Sequence, residues 1–122
     1  MRVEKTVQYP YALTLGAISD PYLIFEVGEA IARDLLDTGI HLNLAPVFDI
    51  NNDPANSVIG YRSFGEDKSK VAELSTAFYR GMKSVGVLGC AKHFPGHGDT
   101  SVDSHLGLPI IEKPEDQLMQ NE

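Results

Sequence analysis

The stretch "DKSKVAELSTAFYRGMKSVGVLGCA", residues 67–91, changes its periodicity part-way along. Val71, Leu74, Phe78, Met82 and Val85 recur every three or four residues, the repeat that stacks side chains on one face of a helix. That spacing predicts a helix over about residues 67–84, closed by Gly86. Val87-Leu88-Gly89-Cys90-Ala91 then loses the helical repeat and reads as a short strand buried on both faces. Cys90 is expected there as a small buried hydrophobe. A helix, a glycine stop and a strand follow one another without a break, and this order decides the fold class.

The same order occurs one step earlier. Asp20 can cap the free N–H groups of a helix whose first position is Pro21. Ile24, Val27, Ile31 and Leu35 form its apolar stripe, and Gly39 stops it, so residues 21–38 are expected to be helical. Ile40, Leu42 and Leu44 then alternate with polar residues, a strand ended by Pro46. Residues 49–66 are rich in Asn, Asp, Pro and Gly and read as a long loop, of the kind that is often functional. Further on, Leu108–Ile111 is expected as a brief strand and Pro114 as the opening of another helix. Residues 6–18 show no decisive pattern.

Strands alternating with helices imply parallel pairing and an α/β fold. Ligands of such sheets sit beyond the carboxyl ends of the strands, so the loops after each strand should share one rim. Two strands and two full helices do not close a domain, and a (β/α)8 barrel needs about 250 residues. The chain therefore reads as an incomplete α/β unit, part of something larger than these 122 residues.

Composition narrows the partners. With 43% hydrophobic and 22% charged residues the chain reads as folded rather than disordered. Its formal charge of −7, without a Lys/Arg cluster, argues against nucleic acid and against an anionic membrane surface. Neutral partners such as sugars remain. Residues 1–5 lack the apolar core of a signal peptide, and the one cysteine excludes an intramolecular disulfide.

The chemistry is concentrated in "GCAKHFPGHGDTSVDSHLGLP", residues 89–109, which holds three of the four histidines. In extended chain Asp103 and His105 point the same way, so the carboxylate can hold one ring nitrogen and leave the other for a substrate. A histidine held like that is a competent general acid and base; the bland alternative is a surface pair. Lys92 and His93 open the loop, facing opposite sides unless the chain bends, for which a cis Phe94–Pro95 bond is a candidate. The alternative for Lys92 is a solvated cap of the strand end. Arg62, in the other long loop, presents a fork of donors suited to paired hydroxyls, or else a salt bridge to Glu66 or Asp67. His93, His97, Asp99, Asp103 and His105 form a second candidate set, as metal ligands. Pro95 and Gly96 rule out a regular helical ligand face between His93 and His97. No phosphate-cradling glycine motif is present.

The run "KHFPGHGDTSVDSH" at 92–105 resembles the signature of family 3 glycoside hydrolases, in the subgroup of bacterial β-N-acetylglucosaminidases. "LNLAPVFDI" at 42–50 and "RSFGED" at 62–67 resemble the preceding strand end and loop of that family. The resemblance implies a (β/α)8 barrel that hydrolyses β-linked sugars with retention, as in peptidoglycan recycling. It implies His105 as acid/base with Asp103 behind it, and Lys92, His93 and Arg62 as holders of sugar hydroxyls. It implies no metal or organic cofactor, and a bacterial cytoplasmic or periplasmic setting. Two features depart from the family pattern: nothing after Pro109 resembles the segment that carries the aspartate nucleophile, and Met1 stands where a D-x-E-G-G segment should precede Arg2-Val3. Residues 1–122 are thus expected to be one piece of a single barrel domain, inactive alone. The rest of the barrel or a second chain would complete it. A metal-dependent hydrolase and a non-catalytic sugar-binding module are the alternatives.

Overall fold

A computed structural model describes residues 6–100, 105–111 and 113–121. Along the chain run α1 (Ala12–Leu15), α2 (Pro21–Asp37), β1 (Leu42–Asn43), a 3₁₀ turn (Gly60–Arg62), α3 (Lys68–Ser84), β2 (Leu88–Gly89) and α4 (Glu115–Asn121). β1 and β2 pair in parallel with Leu42 opposite Leu88. The result is a small α/β unit in which α2 and α3 pack on each other and on one face of the strands.

Local chemistry sets the helix ends where the sequence indicates. Asp20 and Asp67 cap α2 and α3, their Oδ1 atoms accepting from Tyr22 N at 2.9 Å and Lys70 N at 2.8 Å. Both helices then stop in the same way. Gly39 N and Ile40 N return to Leu36 O and Leu35 O, while Gly86 N and Val87 N return to Lys83 O and Met82 O. These are paired reverse hydrogen bonds made possible by glycines at φ 77° and 94°. The residue that completes each stop is the one that enters the strand.

Ile24, Ala32 and Leu35 of α2 meet Val71, Leu74, Phe78 and Met82 of α3 in one core with Leu15, Phe64 and Val87. Two glycines set how closely the helices approach. A Cβ at Gly28 would lie 2.2 Å from Phe78 O, and one at Gly81 would lie 2.0 Å from Phe25 O. The backbones touch where a glycine faces a carbonyl in each direction.

The strands differ from expectation in two ways. Pairing is limited to two residues each, with a further bridge from Val47 to Lys92. Between the two contacts the first strand carries one more residue than the second, at the point where Pro46 has no N–H to give. The second strand is also not buried on both faces. Val87 is fully buried under α3, but Leu88 is 61% exposed and Cys90 is exposed as well. Leu42 and Leu44 of the first strand are likewise 54% and 59% exposed. Side chains alternate across a strand, and only one face has helices over it. An apolar run does not reveal which face lacks a cover. Leu108–Ile111 forms no strand; it runs without a ladder partner among the described residues. Residues 6–18, undecided from sequence, include the short helix α1.

Candidate active site

The loop of residues 49–66 is not loose. Ile50, Ile59 and Phe64 are buried, and Ser63 Oγ donates to Asp49 O at 2.6 Å. The histidine loop rests directly on it. Asn56 donates Nδ2 to His97 O at 2.7 Å and to Gly98 O at 3.0 Å, while its Oδ1 accepts from Val58 N and Ile59 N. Gly98 is so close that a Cβ there would sit 1.9 Å from Ile50 O. The two loops that follow the strands therefore share one rim, as the α/β order predicts.

Under that rim lies Asp49, its side chain fully buried. Oδ1 accepts from His97 N at 2.6 Å. Oδ2 accepts from His93 N at 3.0 Å and lies 2.6 Å from His93 Nδ1. One carboxylate thus holds two backbone amides and one imidazole of the histidine loop. The loop bends where sequence suggests: Phe94–Pro95 is cis, and so is Lys92–His93.

Each expected residue now has a position. His93 keeps 32% of its side chain exposed at the rim. Lys92 is half-buried beside Arg62 and is held below the ordinary lysine pKa, first by burial and second by the Arg62 charge, with Cys90 and Asp49 opposing. Burial and a like charge both disfavour the ammonium form. Arg62 donates Nη1 to Val58 O at 2.8 Å, while Asp67 Oδ1 is taken by its helix cap. His105 is exposed. Asp103, and with it the expected Asp103–His105 pair, lies outside the described residues.

The metal-ligand alternative meets competing bonds. His93 Nδ1 is engaged by Asp49, and Asp99 forms an ion pair with Lys113. His97 is buried with Nδ1 against Thr100 Oγ1. Among the described residues no three His, Cys, Asp or Glu side chains converge as a metal site. A cleft of about 760 Å³ lies elsewhere, between residues 6–11, α2 and Tyr61, and reaches this rim only through Arg62. Its walls carry none of the histidines, so the rim geometry is the better guide to chemistry.

The profile described as "Glycosyl hydrolase family 3 N terminal domain" matches residues 1–122. The chain belongs to that family. It is 44% identical over 97 residues to β-hexosaminidase A of Pseudoalteromonas piscicida, covering 80% of this chain and 16% of that protein. It is 39% identical over 107 residues to a β-hexosaminidase of Thiobacillus denitrificans, covering 83% of this chain and 30% of the relative. The solved family 3 β-N-acetylglucosaminidase from Paenibacillus sp. str. FPU-7 superposes with TM-score 0.93 at 42% identity, over 98% of this chain and 23% of that one. NagZ from Neisseria gonorrhoeae, solved with N-trifluoroacetyl-D-glucosamine, gives TM-score 0.87 at 36% identity, over 98% of this chain and 37% of its own. The chain spans well under half the length of these family 3 relatives.

Asp49 is the residue of this family 3 rim that reading the sequence passes over. Its signal is local: an aspartate between Phe48 and Ile50, three residues after the strand-ending Pro46, is an odd carboxylate to place in apolar company. Nothing in the sequence says that its partners lie 44 and 48 residues away.

The proximity of Lys92 to Arg62 can be tested by titration. Lys92 is expected to lose its proton at lower pH than an ordinary lysine. Between that point and the ordinary lysine value the unfolded chain binds more protons, so this group's contribution makes stability rise with pH across that window. Arg62→Gln removes one of the two lowering causes and should move the Lys92 midpoint upward. Side-chain NMR of Nζ against pH reads the midpoint; an unmoved one would mean the two cations do not feel each other.

Proposed function

We propose that the chain is part of a (β/α)8 barrel domain that hydrolyses β-linked N-acetylglucosamine with retention. Residues 1–122 form one segment of that single domain. The uncovered leucine face of β1 and β2 is the side that would turn toward the barrel interior. The observation that carries the reading is the convergence of Lys92, His93 and Arg62 on one rim, in a chain whose family includes β-N-acetylglucosaminidases. Two cations and an imidazole offer fixed donors and an acceptor, the set that grips vicinal sugar hydroxyls.

In this reading His105 protonates the departing glycosidic oxygen and later takes a proton from water, while Asp103 orients its ring. Hydroxyl contacts from Lys92, His93 and Arg62 tighten as the ring flattens toward an oxocarbenium ion. Retention requires a second carboxylate about 5 Å from the acid/base, on the other side of the scissile bond. That group would come from elsewhere in the barrel, and no cofactor takes part. The test compares the 122 residues alone with a version extended to the length of the relatives, on an aryl N-acetyl-β-glucosaminide. Turnover is expected from the extended protein and not from the segment. An extended, folded protein without turnover would overturn the proposal.

A further inference from the structure

The histidine loop contains a ring whose chemistry is set from below. Asp49 Oδ2 accepts His93 N–H and faces His93 Nδ1 at 2.6 Å, while Oδ1 accepts His97 N–H. Both oxygens are thus already acceptors of backbone donors, and the carboxylate has nothing to donate to an imidazole lone pair. For the neutral ring the only complementary arrangement puts the proton on Nδ1 and leaves Nε2 with the lone pair. The carboxylate is wholly buried, so no water competes for it, whereas a third of the His93 side chain stays open to the rim.

From this we infer that Asp49 is a positioning residue that locks the neutral ring of His93 as its Nδ1–H tautomer, making Nε2 a hydrogen-bond acceptor on a rim that also carries the cationic donors Lys92 and Arg62. The two neighbours, Lys92 and Arg62, can only donate. His93 then calls for a hydrogen-bond donor on its ligand. A sugar hydroxyl that gives its hydrogen to Nε2 and receives one from Lys92 or Arg62 satisfies all three. An O-methyl or deoxy sugar at that position satisfies at most the cations and leaves Nε2 orphaned. Asp49 thereby acts on selectivity without touching substrate. The selectivity part rests on the glycosidase reading above; the tautomer part does not.

Two measurements separate these parts. In the 122-residue protein, ¹⁵N spectra of the imidazole two-bond couplings should show His93 Nδ1 as the protonated nitrogen and Nε2 as the bare one when the ring is neutral. A protonated Nε2 in the unmutated protein would overturn the inference, whatever any variant does. Asp49→Asn has one acceptor oxygen for three donors, so the Nδ1–H preference should be lost; its retention would also overturn the inference. In the extended protein, Asp49→Asn should lower kcat/KM by about tenfold, the size of one lost hydrogen bond in a charged setting. It should also shrink discrimination against O-methyl substrates, which a purely structural defect would leave intact. Unchanged discrimination would overturn the selectivity role. If the unmutated extended protein turns over no hexosaminide, the glycosidase reading fails and the ¹⁵N result alone decides what Asp49 does.

Discussion

His105→Ala, made in the extended protein, is expected to cut turnover of alkyl-linked N-acetyl-β-glucosaminides by a factor of about 10² to 10⁴, the usual worth of a positioned general acid. The loss should depend on the leaving group. A nitrophenolate departs without a proton, so its release should suffer far less than that of an alcohol. Hydrolysis of the glycosyl intermediate would still be slow, because water must lose a proton to a base that is no longer there. A small anionic nucleophile such as azide needs no deprotonation and should restore turnover of the aryl substrate. Equal losses on both substrate classes, with no azide effect, would remove His105 from proton transfer. The exposed position of His105 fits a group that must reach a substrate rather than support the core.

The second large effect is expected at the helix crossing. On propensity alone, Gly81→Ala should stabilise α3 by about 1 kcal/mol. The Phe25 carbonyl, 2.0 Å from where the new Cβ would lie, reverses the sign. Backbone cannot swing aside as a side chain can, so α2 and α3 must separate along the contact that builds the core. Overpacking of this kind costs about 1–3 kcal/mol, and thermal or urea unfolding of Gly81→Ala should show a net loss. Gly28→Ala should behave alike, since its Cβ meets Phe78 O. The two should not add: once the helices have parted for one methyl, the other is partly accommodated. A stabilised single variant, or strict additivity, would show that the glycines are not what sets the approach.

Different parts of this molecule were legible to different degrees, for physical reasons. Helices α2 and α3 are encoded by their own residues: an aspartate that caps, an apolar stripe, a glycine that turns left-handed. The α/β order and the shared rim follow from those. Cys90 and Leu88 stand exposed; an apolar run records that a strand is buried somewhere, not how many of its faces are covered. At the site, Lys92, His93 and Arg62 stand out as chemistry, and Arg62 does lie beside Lys92. Their support could not be seen. Asp49 and Asn56 make their bonds across more than forty residues of sequence, and no local pattern encodes such a pairing.

Those two side chains also decide how the rim can open. The amides of Val58 and Ile59 are held by Asn56, and those of His93 and His97 by Asp49, rather than by neighbours in a ladder. Protection against solvent exchange at these four amides thus hangs on two carbonyl-bearing groups, and Asn56 grips the very segment that Asp49 grips. The four should exchange as one cooperative unit, decoupled from the slower helices beneath. Order at this edge comes from a pair of brackets rather than from secondary structure.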